Sequence, residues 1–259
     1  QDINGNHVKK TVDVIDWNIK DAQKGGYDHF MLKEIMDQPE GIADTMRGRF
    51  GSRAGEARLG GLELVADRLK NVERVHILGM GTAYLAGLLG EYAISEYARM
   101  PVDTDPASEF RYRNPIIDEK TAYVFVSQSG ETADTIGALR EVKKQGGLTL
   151  GIINVVGSSV AREVDAGLYN HVGPEIGVAS TKAFTSQVAL LALLAVFFAN
   201  RKARVDRGCR CCDHPLVRWL RLVRRSNDCF GSIGRFRDSR HHAFHCLLPR
   251  IQRPALCLP

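Results

Sequence analysis

The sequence predicts an α/β domain of three layers, α/β/α, around a five-stranded parallel sheet, preceded by a helical linker. Two observations carry that expectation. From residue 75 onward, short β-rich apolar runs alternate with longer helical stretches, and parallel strands require such crossover connections. Several strand-to-helix joints are also rich in glycine and hydroxyl side chains, and in this architecture ligands sit beyond the carboxyl ends of the strands.

Taken in order, the chain opens on Ile3-Asn4-Gly5-Asn6-His7-Val8, whose Asn-Gly centre suits a two-residue hairpin because both turn residues need positive φ. Only two residues precede that turn, so the segment reads as the end of an upstream domain. Asp28 to Arg49 is patterned as a helix, with Phe30, Ile35 and Ile42 on one face and Pro39 and Gly41 interrupting it. A second short helix is expected over Leu62 to Leu69. Strands follow at Val75–Leu78, Val102–Asp105, Ala122–Val126, Thr149–Ile153 and Gly167–His171. The intervening helices are Thr82–Arg99, Thr132–Gln145, Ser159–Val164 and Ser180–Phe198. Residues 1–74 thus form a domain end plus linker, 75–199 the α/β domain, and 200–259 a tail of different character.

Composition marks the same seam. Residues 1–200 carry 21 Lys and Arg against 26 Asp and Glu, whereas residues 201–259 carry 14 against 4 and hold all six cysteines. The overall +5 therefore describes neither part. The first 200 residues have no cysteine, and the polar start lacks the charged-then-apolar plan of a secretory signal, so a cytoplasmic protein is expected. The longest apolar stretch, Val188–Ala199, has 12 residues, short of the roughly 20 that span a bilayer. It reads as a buried helix, and no membrane partner is expected.

The sharpest candidate site is Val126-Ser127-Gln128-Ser129-Gly130-Glu131-Thr132, which leaves one strand and enters a helix. A first helical turn offers unpaired N–H groups and about half a positive charge, which suits an anion. Ser127, Ser129 and Thr132 add hydroxyl donors, Gly130 lets backbone approach a ligand, and Glu131 is expected to point away from a phosphate. The competing reading makes Ser129 an ordinary N-cap, and the loop alone leaves both standing. A second joint, Gly79-Met80-Gly81-Thr82-Ala83-Tyr84, has a dinucleotide-like G-x-G with Asp103 and Asp105 near the end of the next strand. Against that reading, Tyr84 stands where the fingerprint needs glycine. In a third, Gly177-Val178-Ala179-Ser180-Thr181-Lys182, Ser180 is the expected N-cap.

Three stretches together resemble the glutamine:fructose-6-phosphate aminotransferase family: residues 127–135 (SQSGETADT), 107–113 (ASEFRYR) and 175–184 (EIGVASTKAF). The run His29-Phe30-Met31-Leu32-Lys33-Glu34-Ile35 with Gln38-Pro39 is similar to the family's link between glutaminase domain and synthase module. The resemblance covers residues 1 to about 199. It implies the first sugar isomerase (SIS) domain, a flavodoxin-like fold, and a site for fructose-6-phosphate or glucosamine-6-phosphate. Ser127, Gln128, Ser129 and Thr132 would lie on the phosphate, with Thr82, Val178 and Ser180 against the sugar. Ala83 stands where many members carry serine. No cofactor or metal is implied, and the family associates through its isomerase domains as a homo-oligomer.

The family's nucleophilic cysteine lies in its glutaminase half, and its isomerising glutamate, with a lysine and a histidine, in its second SIS domain. No cysteine precedes Cys209 and nothing after Asn200 resembles that second domain, so no catalytic residue is assigned and this stretch alone is expected to be inactive. The tail has 13 Arg, one Lys and no Glu, a change that translation in a shifted reading frame produces, and is expected not to pack on the domain. Cys209, Cys211, Cys212 and His214 with His241, His242, His245 and Cys246 form the zinc alternative, without the paired spacing such sites show. The functional alternative is a sugar-phosphate sensor whose basic tail binds nucleic acid. Regulators of that kind place a helix-turn-helix before the domain, and none precedes Val75, so nucleic acid is not the expected partner.

Overall fold

The computed structural model describes residues 23–51 and 55–205, all within the unit Gln1–Arg218. The Asn-Gly hairpin and the cysteine- and histidine-bearing part of the tail lie outside the described residues.

Five strands form one sheet: β1 (Arg74–Gly79), β2 (Val102–Pro106), β3 (Thr121–Ser127), β4 (Leu148–Ile153) and β5 (Ala166–Tyr169). They run in the order β2-β1-β3-β4-β5, and every pair is parallel. All residues of β3 and β4 are buried, because helices cover both faces of the sheet. The last strand stops at Tyr169 rather than His171. His171 has φ +58°, a left-handed conformation that cannot continue a strand.

On one face lie α5 (Ala107–Tyr112), α6 (Ala133–Lys144) and α7 (Ser159–Glu163). Phe110, Leu139, Val142 and Val160 from these helices pack with Leu78, Tyr123, Phe125 and Ile153 from the sheet. The six-residue α5 was not evident in the sequence, being too short to show a period. The other face carries α4 (Thr82–Ala98), which packs on α8 (Lys182–Val205). That contact is close: a Cβ on Gly90 would meet Leu191 side-chain atoms at 3.0 Å.

The linker differs in detail from expectation. Its helix breaks at Asp37 into α1 (Phe30–Met36) and α2 (Gln38–Met46). Pro39 sits in the first turn of α2, where a missing N–H is not needed. It therefore starts a helix instead of interrupting one, and Gly41 lies buried inside α2. Ile35 is exposed, off the packed face. The second short helix is a 3-10 turn, Gly60–Val65, followed by α3 (Ala66–Leu69).

The last helix runs past the compositional seam to Val205. Asn200 Nδ2 donates to Gly55 O at 3.1 Å and Arg201 Nη2 to Ala66 O at 2.9 Å, so the first tail residue is part of the domain. Lys182–Arg201 is long and apolar enough to cross a membrane by length and composition, contrary to the 12-residue estimate, yet 72% of that stretch is buried inside the domain. Packing against α4 and α2 accounts for its apolar character.

Candidate functional site

In this strand order β1 and β3 are neighbours whose following helices, α4 and α6, lie on opposite faces. Their diverging connections open a crevice at the carboxyl edge of the sheet, the switch point where ligands bind in open α/β sheets. A cavity of about 150 Å³ occupies it. Met80, Thr82 and Ala83 line it after β1, Val126 to Ser129 and Thr132 after β3, and Thr135 and Gln187 complete the wall.

The β3–α6 loop is held by its own hydroxyls. Ser127 Oγ accepts from Gly130 N at 2.9 Å and Ser129 Oγ from Glu131 N at 3.2 Å. Each hydroxyl keeps its hydrogen for donation, with the oxygen already fixed. The N-cap of α6 is Thr132, not Ser129, and its side chain makes no capping bond. The first-turn N–H groups of α6 thus keep their positive potential facing the cleft. Glu131 turns away: its Oε1 accepts from Ser159 N at 2.7 Å. Gly130 has φ +66°, and a Cβ there would lie 2.0 Å from Ser158 Oγ. Its glycine character therefore serves the packing of the loop against α7.

Of the residues expected at the site, Thr82, Ser127, Gln128, Ser129 and Thr132 come together around the cavity. Val178 and Ser180 do not line it. Val178 is fully exposed, and Ser180 Oγ donates to Glu175 Oε2 at 3.0 Å. Ser180 is not the N-cap of α8 either. Glu175 takes that role, its Oε1 accepting from Thr181 N at 2.7 Å and Ala183 N at 3.3 Å. A second carboxylate, Glu34 of α1, is buried and accepts from Ile176 N at 2.6 Å and Gly177 N at 3.1 Å. The segment is thereby fastened between the linker and α8. Of the two acids set beside the G-x-G joint, Asp105 lies 2.9 Å from His76 Nε2 and pairs with Arg113, and Asp103 lies 3.6 Å from Arg74.

Thr135 and Gln187 escaped sequence reasoning. Thr135 follows Thr132 by three residues and shares its helical face, and Gln187 directly precedes the apolar run Val188–Ala199. Both signals were present but weak. Thr135 Oγ1 and Gln187 Oε1 are buried without partners, a condition that costs about 1–3 kcal/mol per group. Among the described residues, the lining holds no aspartate, glutamate, histidine, lysine, arginine or cysteine. Such a lining binds by hydrogen bonds and helix potential.

Comparison with known proteins agrees with this geometry. The family model described as "SIS domain" matches residues 68–197. The glutamine–fructose-6-phosphate aminotransferase (isomerizing) of Chlorobaculum tepidum is 53% identical over 188 residues, covering 73% of this chain and 31% of that protein. The Clostridium tetani protein of the same name is 48% identical over 206 residues, 80% and 34% respectively. This chain thus spans about a third of the length of the curated relatives it matches. The C-terminal domain of glucosamine-fructose-6-phosphate aminotransferase from Francisella tularensis superposes with a TM-score of 0.70 at 36% identity, covering 80% of this chain and 56% of that one. Glucosamine-6-phosphate deaminase from Thermotoga maritima, at 22% identity and a TM-score of 0.55, shares the fold. With its family model matched over about half its length and a cleft at the sheet's switch point, this chain belongs to the SIS domain family.

Proposed function

We propose that this chain is the sugar-phosphate-binding part of a glutamine:fructose-6-phosphate aminotransferase, taking fructose-6-phosphate or glucosamine-6-phosphate in amino-sugar synthesis in the cytoplasm. The observation that carries the reading is the β3–α6 loop, where Ser127, Ser129 and Thr132 hydroxyls meet the N-terminus of α6 in one cavity. The phosphate sits on Ser127, Gln128, Ser129 and Thr132, and Thr82 lies beside the sugar. Val178 and Ser180 approach the sugar only through a shift of their segment toward the cleft. The similarity to proteins bearing the aminotransferase name supports the choice of sugar phosphate.

Calorimetry tests this. Fructose-6-phosphate and glucosamine-6-phosphate are expected to bind, and fructose far more weakly. Hydrogen bonds to a charged group contribute about 1.5–3 kcal/mol each, so Ser127→Ala or Thr132→Ala should weaken binding about tenfold or more. Equal affinity for fructose, or no loss in both variants, contradicts the assignment.

Binding by this chain occurs without turnover, because no lining side chain can relay the proton between C1 and C2 that isomerisation needs. The purified 259-residue chain with fructose-6-phosphate and ammonia is expected to give no glucosamine-6-phosphate above background. Product formation would reveal an acid–base group outside the cavity described above.

A further inference from the structure

Among the described residues, four buried side-chain atoms lack a hydrogen-bond partner: Arg49 Nη1, Thr135 Oγ1, Ser158 Oγ and Gln187 Oε1. Two of the four, Thr135 and Gln187, line the same cavity, and each of these residues is at most 1% exposed. Buried polar groups in native proteins are almost always paired. Two orphans on one cavity wall imply that whatever fills the cavity supplies their partners.

The two positions differ in what they can satisfy. Thr135 sits one turn into α6, directly below Thr132, and its hydroxyl donates as well as accepts. A phosphoryl group lying on the α6 N-terminus meets it as an acceptor. Gln187 lines the same cavity from α8, and its unpartnered Oε1 is an acceptor only. A phosphate monoester dianion offers no hydrogen to accept. A hydroxyl on a carbon chain does.

We propose that Thr135 and Gln187 form an inner tier of the ligand site, Thr135 donating to the phosphoryl group and Gln187 accepting from a ligand hydroxyl. Together they select a hydroxylated phosphate monoester over one whose alcohol part carries no hydroxyl. This inference rests on the sugar-phosphate reading above and adds two specificity-determining residues to it. Neither oxygen has a partner within the protein. Removing either should leave the empty fold as stable or more stable while harming binding.

The test uses the full chain with Thr135→Val, Thr135→Ser and Gln187→Met, near in size to the native residues, and Ser127→Ala as a control. Affinities for fructose-6-phosphate and methyl phosphate are read by amide shift titration at about pH 8, where phosphate monoesters are dianions, and melting temperatures without ligand. Thr135→Val is expected to weaken both ligands about tenfold, and Thr135→Ser to restore them. Gln187→Met is expected to weaken fructose-6-phosphate about tenfold and leave methyl phosphate, whose dianion has no hydroxyl to donate, unchanged. Melting temperatures should hold or rise in both apolar variants. Native affinities in Thr135→Val and Gln187→Met, alongside a weakened Ser127→Ala, overturn the inner tier and leave the sugar-phosphate reading intact. Lowered melting temperatures with native affinity assign the two oxygens to a permanently buried water, which also overturns it. Equal weakening of both ligands by Gln187→Met overturns the division of roles. If the native chain binds neither ligand, the sugar-phosphate reading falls and the inner tier with it.

Discussion

Gly130→Ala is expected to destabilise the domain by about 2–5 kcal/mol and to weaken sugar-phosphate binding by at least about a hundredfold. Two effects add. Gly130 holds φ +66°, a left-handed conformation that costs an L-residue about 1–2 kcal/mol. A Cβ there would lie 2.0 Å from Ser158 Oγ and 2.6 Å from Ser158 Cβ, and overpacking of this kind costs about 1–3 kcal/mol. Ser158 is 3% exposed and cannot swing out, so the loop must move. The loop carries Ser127 and Ser129, and Gly130 O also accepts from Val160 N at 3.0 Å. Displacing it therefore disturbs the hydroxyls and the link to α7 at once. Chemical denaturation and calorimetry measure the two losses. The Gly130→Ala, Ser158→Gly double variant removes the collision but not the backbone cost, and about half the lost stability should return. A single variant as stable as the native chain contradicts the loop geometry.

Glu34→Ala is expected to lower stability by about 3–5 kcal/mol while leaving the sheet intact. Glu34 is 2% exposed and its carboxylate accepts the N–H groups of Ile176 and Gly177 across 142 and 143 residues of sequence. Its loss leaves two backbone donors without acceptors, at about 1–3 kcal/mol each, together with a small void. Gly177 is matched to this carboxylate, since a Cβ there would stand 2.5 Å from Glu34 Oε2. Glu34→Gln keeps one carbonyl oxygen where Oε1 now serves both amides, and should recover part of the loss. Amide hydrogen exchange is the discriminating measurement. Ile176 and Gly177 should lose protection in Glu34→Ala before the amides of β3 do. Uniform loss of protection would mean that Glu34 supports the whole fold and not this segment.

The parts legible in the sequence were those whose cause is local. Tyr123 to Val126 is an apolar β-rich run, and it is a strand buried on both faces. The Ser-Gln-Ser-Gly stretch follows it directly, so its place at a strand-to-helix joint, and hence at the carboxyl edge, could be read without coordinates. Errors arose where a residue far away does the work that a neighbour was expected to do. Ser180 has the chemistry of an N-cap, but Glu175 reaches forward and takes the amides. Pro39 punctuates the linker as expected, yet it opens α2, because the break falls at Asp37. Glu34 reads as one charge on an exposed helix, and only the fold brings it under Gly177. The orphaned oxygens of Thr135 and Gln187 depend on α6 and α8 meeting at one cavity, which no spacing along the chain reveals.

The central claim is that the phosphate of a sugar phosphate rests on the β3–α6 loop. Backbone amide shifts of the native chain, titrated with fructose-6-phosphate and separately with fructose, test it most directly. With the phosphate ester, saturable shifts should concentrate at Ser127 to Thr132 and the first-turn amides of Ala133, Asp134 and Thr135, and fructose at the same concentrations should leave them in place. Shifts of equal size with both sugars, or shifts centred on Asp103 and Asp105 with the loop silent, would contradict the account.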